Sequence, residues 1–353
     1  MKKNFLRMSR LLSLVALVVG GMTLTACGGD DDDDNGGGNV EWGKFETKLS
    51  TPAYEKESAL YEITSDDTNI QSIELTASGN YIVVTDNYSM AREVEKTTLK
   101  KRLLGLAKQI QTRAGVSGIV YGKFTKINDT TFRLEGWGTV TIEGGNSNAV
   151  SLKITLEGGT ELPTLTAAKK TQMADNEKTT FLCRTWTFYS MRMIIKMPGG
   201  DVLYDKEYKM NELKNFGRDM YNMAKQQGYD DWDEDDGDSL EDYMEEWEDD
   251  EEGLPVGVIF TKSGTYMPIY TNDQEGELAI STWTWENVDK GVLRYSWNYN
   301  DMNDPYASGN VKVGSRGAQL MISENFSNRN SDYDDDDDQY GSATMVYYLN
   351  EAK

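Results

Sequence analysis

Ile73-Glu74-Leu75-Thr76-Ala77-Ser78-Gly79-Asn80-Tyr81 and Val258-Ile259-Phe260-Thr261-Lys262-Ser263-Gly264-Thr265-Tyr266 share one pattern. Each is an apolar strand, a Ser-Gly turn and a strand led by tyrosine, which reads as a β-hairpin. Working outward, Tyr121-Gly122-Lys123-Phe124 with Phe132-Arg133-Leu134 echoes Ser281-Thr282-Trp283-Thr284-Trp285 with Leu293-Arg294-Tyr295. Self-similarity of this kind suggests a duplicated unit. The helical patterns fall at different places in the two halves, so the echo is imperfect.

The first half shows further strand patterns at 119–124, 131–134, 138–143 and 149–156. The second half shows them at 180–195, 256–261, 265–270, 278–285, 292–297, 318–323 and 343–349. Leu99, Leu103, Leu106 and Ile110 predict a helix over about 92–113, because residues three and four apart share one face. Leu213, Phe216, Met220 and Met223 predict another over about 209–227. Residues 157–178 are rich in Gly, Thr, Lys and Ala with little periodicity, which places a domain boundary near 170–178.

The amino terminus reads as a targeting signal. Lys2, Lys3, Arg7 and Arg10 precede an apolar run, Leu11 to Leu24, and then Leu24-Thr25-Ala26-Cys27. The run is short of the roughly 20 apolar residues that a bilayer span needs, and its basic–apolar–small order is that of a secretory signal. Leu24 to Cys27 resembles the lipobox of bacterial lipoproteins, which implies cleavage of residues 1–26 and lipidation of Cys27. Asp30 to Asp34, set between glycines, make residues 27–40 a solvated leash. That acidic run resembles the export signal of Bacteroidetes surface lipoproteins. The resemblance implies a lipid-anchored protein of the outer membrane, exposed at the cell surface.

Composition removes several chemistries. There is no histidine, so Ser-His-Asp triads and Cys-His pairs are excluded. With Cys27 lipidated, Cys183 stands alone, so no intrachain disulfide forms, and its apolar neighbours predict a core residue. The net charge of −23 gathers in residues 181–353, which disfavours nucleic acid and favours cations or basic partners.

Leu182-Cys183-Arg184-Thr185-Trp186, the Phe260 to Tyr266 hairpin, Ser281 to Trp285 and Met345 to Leu349 resemble the lipocalin-like domains of Bacteroidetes lipoproteins. The likeness runs over about 180–351. Arg184 stands where that family tends to have glycine, and the acidic helical insertion at 208–253 is atypical. The resemblance implies a small antiparallel barrel whose mouth takes an apolar ligand, with no fixed catalytic residues. The predicted fold is mainly β, with two antiparallel lipocalin-like barrel or half-barrel domains, 41–172 and 178–353, carrying inserted helices.

Trp186, Tyr266, Trp283 and Trp285 are the candidate lining of that mouth, although aromatic residues in small barrels also serve as core. Asp231, Asp233 and Asp235 alternate like the start of an EF-hand loop, a weak Ca²⁺ signal. The frame then fails, with Asp236 where glycine belongs and Asp242 where glutamate belongs. The sequence therefore reads as a non-enzymatic surface binder of a small or apolar ligand. Two alternatives stay open: an accessory subunit contacting a protein partner through the acidic residues 229–252, and a weak calcium-binding surface protein. Hydrolysis by paired carboxylates needs two facing acids, and no pair stands out.

Overall fold

A computed structural model describes residues 41–65, 69–85, 118–144, 148–196, 201–226, 255–270, 280–296, 308–327 and 342–352. The predicted helix over 92–113, the acidic residues 230–252 and the leash lie outside them. Two closed antiparallel barrels account for most of the described chain, as the fold class required.

The first barrel is an eight-stranded meander: β1 (Ala59–Ile63), β2 (Ile70–Leu75), β3 (Asn80–Thr85), β4 (Ile119–Lys126), β5 (Thr131–Leu134), β6 (Gly138–Glu143), β7 (Ala149–Leu156) and β8 (Leu165–Lys169). Tyr61 opposite Lys169 closes it. Its interior is filled by Tyr61, Ile73, Tyr81, Phe124, Phe132 and Leu152 among others. Closure depends on β1 and β8, neither of which the sequence pattern had marked. Leu165-Thr166-Ala167-Ala168-Lys169 has little intrinsic strand preference, and pairing on both edges supplies what propensity does not.

The second barrel follows α1 (Glu177–Leu182). Its strands are β9 (Thr185–Lys196), β10 (Val202–Lys209), β11 (Pro255–Phe260), β12 (Thr265–Tyr270), β13 (Ser281–Asn287), β14 (Val292–Ser296), β15 (Ser308–Arg316), β16 (Gln319–Ser327) and β17 (Ser342–Glu351). β9 pairs with β17 along its length, closing the barrel. On its other edge its first residues pair with β11 and its last with β10. A 3₁₀ turn, Met210–Glu212, leads from β10 into α2 (Leu213–Gln226).

The structure departs from the expected strand over 180–195 at its start. Asn176 accepts a hydrogen bond from the Thr179 amide and caps α1 instead, so a local polar contact overrides the β preference of Thr179, Thr180 and Phe181. Residues 41–49, expected with the first domain, lie against the second. Gly43 donates to the Val313 carbonyl (2.9 Å), Ser315 donates to that of Lys44 (3.0 Å), and Phe45 packs on Phe181.

The two echoed hairpins occupy corresponding staves, β2–β3 and β11–β12, and their turns carry the same bonds. Thr76 and Thr261 accept from the amides of Gly79 and Gly264, each 3.1 Å, through their carbonyls. Their hydroxyls take the amides of Asn80 (3.0 Å) and Thr265 (3.1 Å). Gly79 and Gly264 have φ of 79° and 89°, a conformation glycine adopts without strain. The second echo likewise falls on corresponding staves, β4–β5 and β13–β14.

These hairpins also join the barrels. Outward-facing Ile82, Val84 and Ile119 of the first pack against Ile259, Met267 and Ile280 of the second. Around this apolar seam, Thr185 donates its amide to Ser78 Oγ (2.9 Å) and its hydroxyl to Asn80 Oδ1 (3.0 Å). Lys262, nearly buried, is held by Glu55 and by Asp175 (2.5 Å). Glu74 is 2% exposed, and its Oε1 has no hydrogen-bond partner. Burial raises its pKa, against hydrogen bonds from Thr265, Thr261 and Ser263 that pull it down.

A carboxyl whose folded pKa is raised destabilises the fold progressively as pH rises from the ordinary glutamate range through that raised value. Glu74→Gln is therefore expected to raise the unfolding midpoint at pH 8. The gain should vanish below the ordinary glutamate range, which thermal melts of both proteins across pH 3.5–8.5 will check.

Candidate ligand site in the second barrel

Strands β9, β12, β14 and β16 run toward one end of the second barrel, its mouth, and the tight turns 261–264, 288–291 and 317–318 lie at the other. The mouth-end connections 227–254, 271–279, 297–307 and 328–341 lie outside the described residues. By sequence they hold 27 Asp and Glu against a single Arg329.

The four aromatic candidates lie at the turn end, around α1. The Trp186 indole N–H donates to the Leu182 carbonyl (2.9 Å), and that of Trp285 donates to Thr179 Oγ1 (2.9 Å). Trp283 donates to the Thr261 carbonyl (3.1 Å). Tyr266 stacks on Phe260, and Phe260 meets Trp283 edge to face. Trp186, Trp283 and Tyr266 are 0%, 1% and 2% exposed, and Trp285 is half-buried against the same core. The structure thus brings all four together, as the floor of the barrel and not the lining of its mouth. Their polar N–H groups are satisfied by the chain that closes that end.

Arg184, standing where the resembled family tends to have glycine, is part of that floor. It is 1% exposed and donates to the carbonyls of Phe181 (2.9 Å), Thr180 (3.0 Å) and Ser50 (3.3 Å), and to Glu351 (2.5 Å). It thus satisfies the last carbonyls of α1, which have no partner within so short a helix.

At the mouth, register decides what faces inward. Residues directly opposite in an antiparallel pair project to the same side of the sheet. Tyr208, Lys206 and Tyr204 of β10 lie opposite Met191, Met193 and Ile195, all core residues of the barrel. On the other edge of β9 those three face Tyr347, Met345 and Ala343. The interior side of the mouth therefore carries two tyrosines and a lysine beside methionines and aliphatic residues.

α2 lies on this interior side of β10. Phe216, Met220 and Met223, spaced on one helical face, are buried in the barrel core, and Phe216 meets Tyr208 edge to face at 5.5 Å. Asp219 lies on the same helix. Its Oδ2 accepts from Lys206 Nζ (2.5 Å), from the Tyr208 hydroxyl and from the Tyr204 hydroxyl (3.3 Å), and the two tyrosine hydroxyls bond each other. Burial raises the pKa of both phenols. Burial also works against the Asp219 charge, but the hydrogen bonds from Lys206 and Tyr208 hold its pKa below the usual aspartate value.

The helical periodicity had marked Phe216, Met220 and Met223. Tyr204, Lys206 and Tyr208 were missed. Their signal was the alternation in Tyr204-Asp205-Lys206-Glu207-Tyr208, with acids on one face and donors on the other. The second face is also satisfied: Asp205 pairs with Arg192 (2.6 Å) and Glu207 with Arg316 (2.8 Å) on the outside of the barrel.

Cys183 is wholly buried, and burial pushes its thiol pKa well up, as a core residue requires. Cys27 and the acidic candidates Asp231, Asp233 and Asp235 lie outside the described residues. Among the described residues no cluster of three metal-ligating side chains occurs, and no helix is long and apolar enough to cross a membrane. No protein-family model, curated protein or solved structure matches the chain.

Arg184→Ala is expected to cost about 3 kcal/mol, because it leaves buried carbonyls and Glu351 without their donor. Arg184→Lys should recover only part of this, since an ammonium lacks the planar fork. Urea unfolding of the three proteins checks both values.

Proposed function

We propose that the protein is a non-enzymatic binding protein, anchored to the outer membrane by lipid on Cys27 and displayed at the cell surface. It takes an apolar ligand into the second, lipocalin-like barrel. The observation that carries this is the arrangement at the mouth. A helix lies on the interior side of the wall, with three apolar side chains in the barrel core and one polar contact cluster fastening it. Methionine supports the reading. Met191, Met193 and Met345 line this part of the barrel, and unbranched thioether chains repack around ligands of varied shape more readily than branched aliphatics.

A second reading has its own support in the charge at the mouth. Four connections that begin or end there carry 27 acids and one arginine, a field that draws basic protein surfaces. In this reading the barrel is a rigid pedestal and the acidic residues 229–252 are the contact. Binding would then weaken steeply with salt.

Native mass spectrometry of the mature chain, Asn39 to Lys353, purified from its bacterial host, separates the two. The expected result is a stoichiometric mass excess that organic extraction removes, with the extract naming the ligand class. A bare chain mass under gentle conditions would overturn the apolar-ligand reading in favour of the protein contact.

A further inference from the structure

Lys206, Tyr204 and Tyr208 converge on a single carboxylate oxygen, Oδ2 of Asp219, on the interior side of the barrel mouth. Among the described residues, Lys206 is the one cation whose register position faces the interior of the second barrel. From this geometry we infer that the three side chains form a head-group site for a monocarboxylate with a long apolar tail. Asp219 and the apolar face of α2 hold the place of that ligand in the closed barrel. The inference rests on the apolar-ligand reading above and specifies the chemistry of that ligand.

The chemistry of α2 matches that of the ligand it would replace. It presents one carboxylate, Asp219, and three apolar side chains on the same helix, Phe216, Met220 and Met223. A fatty acid offers one carboxylate and one apolar chain. Exchange of one for the other keeps the charge at Lys206 balanced and keeps the Tyr208 hydroxyl, itself nearly buried, supplied with an acceptor. A neutral lipid such as an alcohol restores the apolar contacts but leaves the ammonium without its counter-ion.

The position of the site also suits a head and tail. Lys206 is about half exposed (51%) and Asp219 less so (29%), so the head lies at the rim, where water still reaches it. From Met193, opposite Lys206, to Trp186 at the floor the strand runs seven residues, roughly 23 Å of wall. Along it lie Met193, Met191, Phe188 and Trp186, an apolar track for a tail pointing inward.

The test uses the mature chain after organic delipidation, with dodecanoate and 1-dodecanol as probes, and calorimetric titration of three proteins. In the unaltered protein dodecanoate is expected to bind about tenfold tighter than the alcohol, the difference expected of a charge-assisted head contact. Lys206→Met should abolish that preference while leaving alcohol binding in place. Asp219→Asn, which weakens the competing contact, should tighten both probes about tenfold. A wholly structural role for Asp219 predicts the opposite, weaker binding together with lower stability.

Equal affinities for the two probes, unmoved by Lys206→Met, would overturn the head-group site and leave the apolar-ligand reading standing. Failure of both probes to bind any of the three proteins would overturn both.

Discussion

β9 is twelve residues long, and its neighbour β11 is only six. Every backbone group along the longer strand needs a partner, because an unpaired buried amide or carbonyl is costly. β17 satisfies one edge throughout. On the other edge β11 covers only Thr185 to Thr187, and the chain doubles back as β10 to cover Ser190 to Lys196. That single requirement sets the form of the mouth. It places Tyr204, Lys206 and Tyr208 on the interior wall, and it delivers the chain to α2 on the inner side of the barrel. The polar cluster and the helix that it fastens are consequences of an unfinished strand edge.

The same hairpin, used twice, joins the barrels. The first contributes outward apolar residues from its third and fourth staves, and the second from its second and third with Ile280 just before its fourth, so the seam joins overlapping parts of the two barrels, with Ile82 and Met267 at equivalent positions. Its polar rim is less symmetric. Where the first hairpin has Glu74 the second has Ile259, and where the second has Lys262 the first has Ala77. Burying Glu74 with one oxygen unpartnered costs stability, whereas Lys262 is compensated by Glu55 and Asp175. Such uneven charges favour one pairing of the two faces over pairing of either with itself.

Legibility in the sequence followed the strength of local signals. The two Thr-x-Ser-Gly hairpins, β6, β7 and the apolar face of α2 were all visible, because turn chemistry and periodicity act over a few residues. β1, β8, β10 and β15 were not. Leu165 to Lys169 and Ser308 to Arg316 carry small, polar or glycine residues, and they become strands because closure offers them two edges. Residues 180–182 read as strand but end α1 for the converse reason, a single cap at Asn176 outweighing the β-branched residues after it. At the site, the sequence marked the aromatic residues but not the end of the barrel they occupy. Composition says that Trp186 and Trp283 will be buried, and only topology says that they form the floor.

The strap formed by residues 41–49 ties the beginning of the folded chain to its last third. Glu46 receives no partner for its amide until Ser315 has been made, 269 residues later, and Arg184 joins Ser50 to Glu351 across the same floor. A chain emerging amino end first therefore carries an unfinished second barrel until its final strand arrives, while the first barrel, complete by Lys169, folds from contiguous sequence. The first and last described stretches, with Gly43 beside Val313 and Glu351 opposite Trp186, also lie on the floor side, at the end of the barrel away from the mouth. A group attached at Glu351 would therefore sit at the floor, leaving the mouth unencumbered.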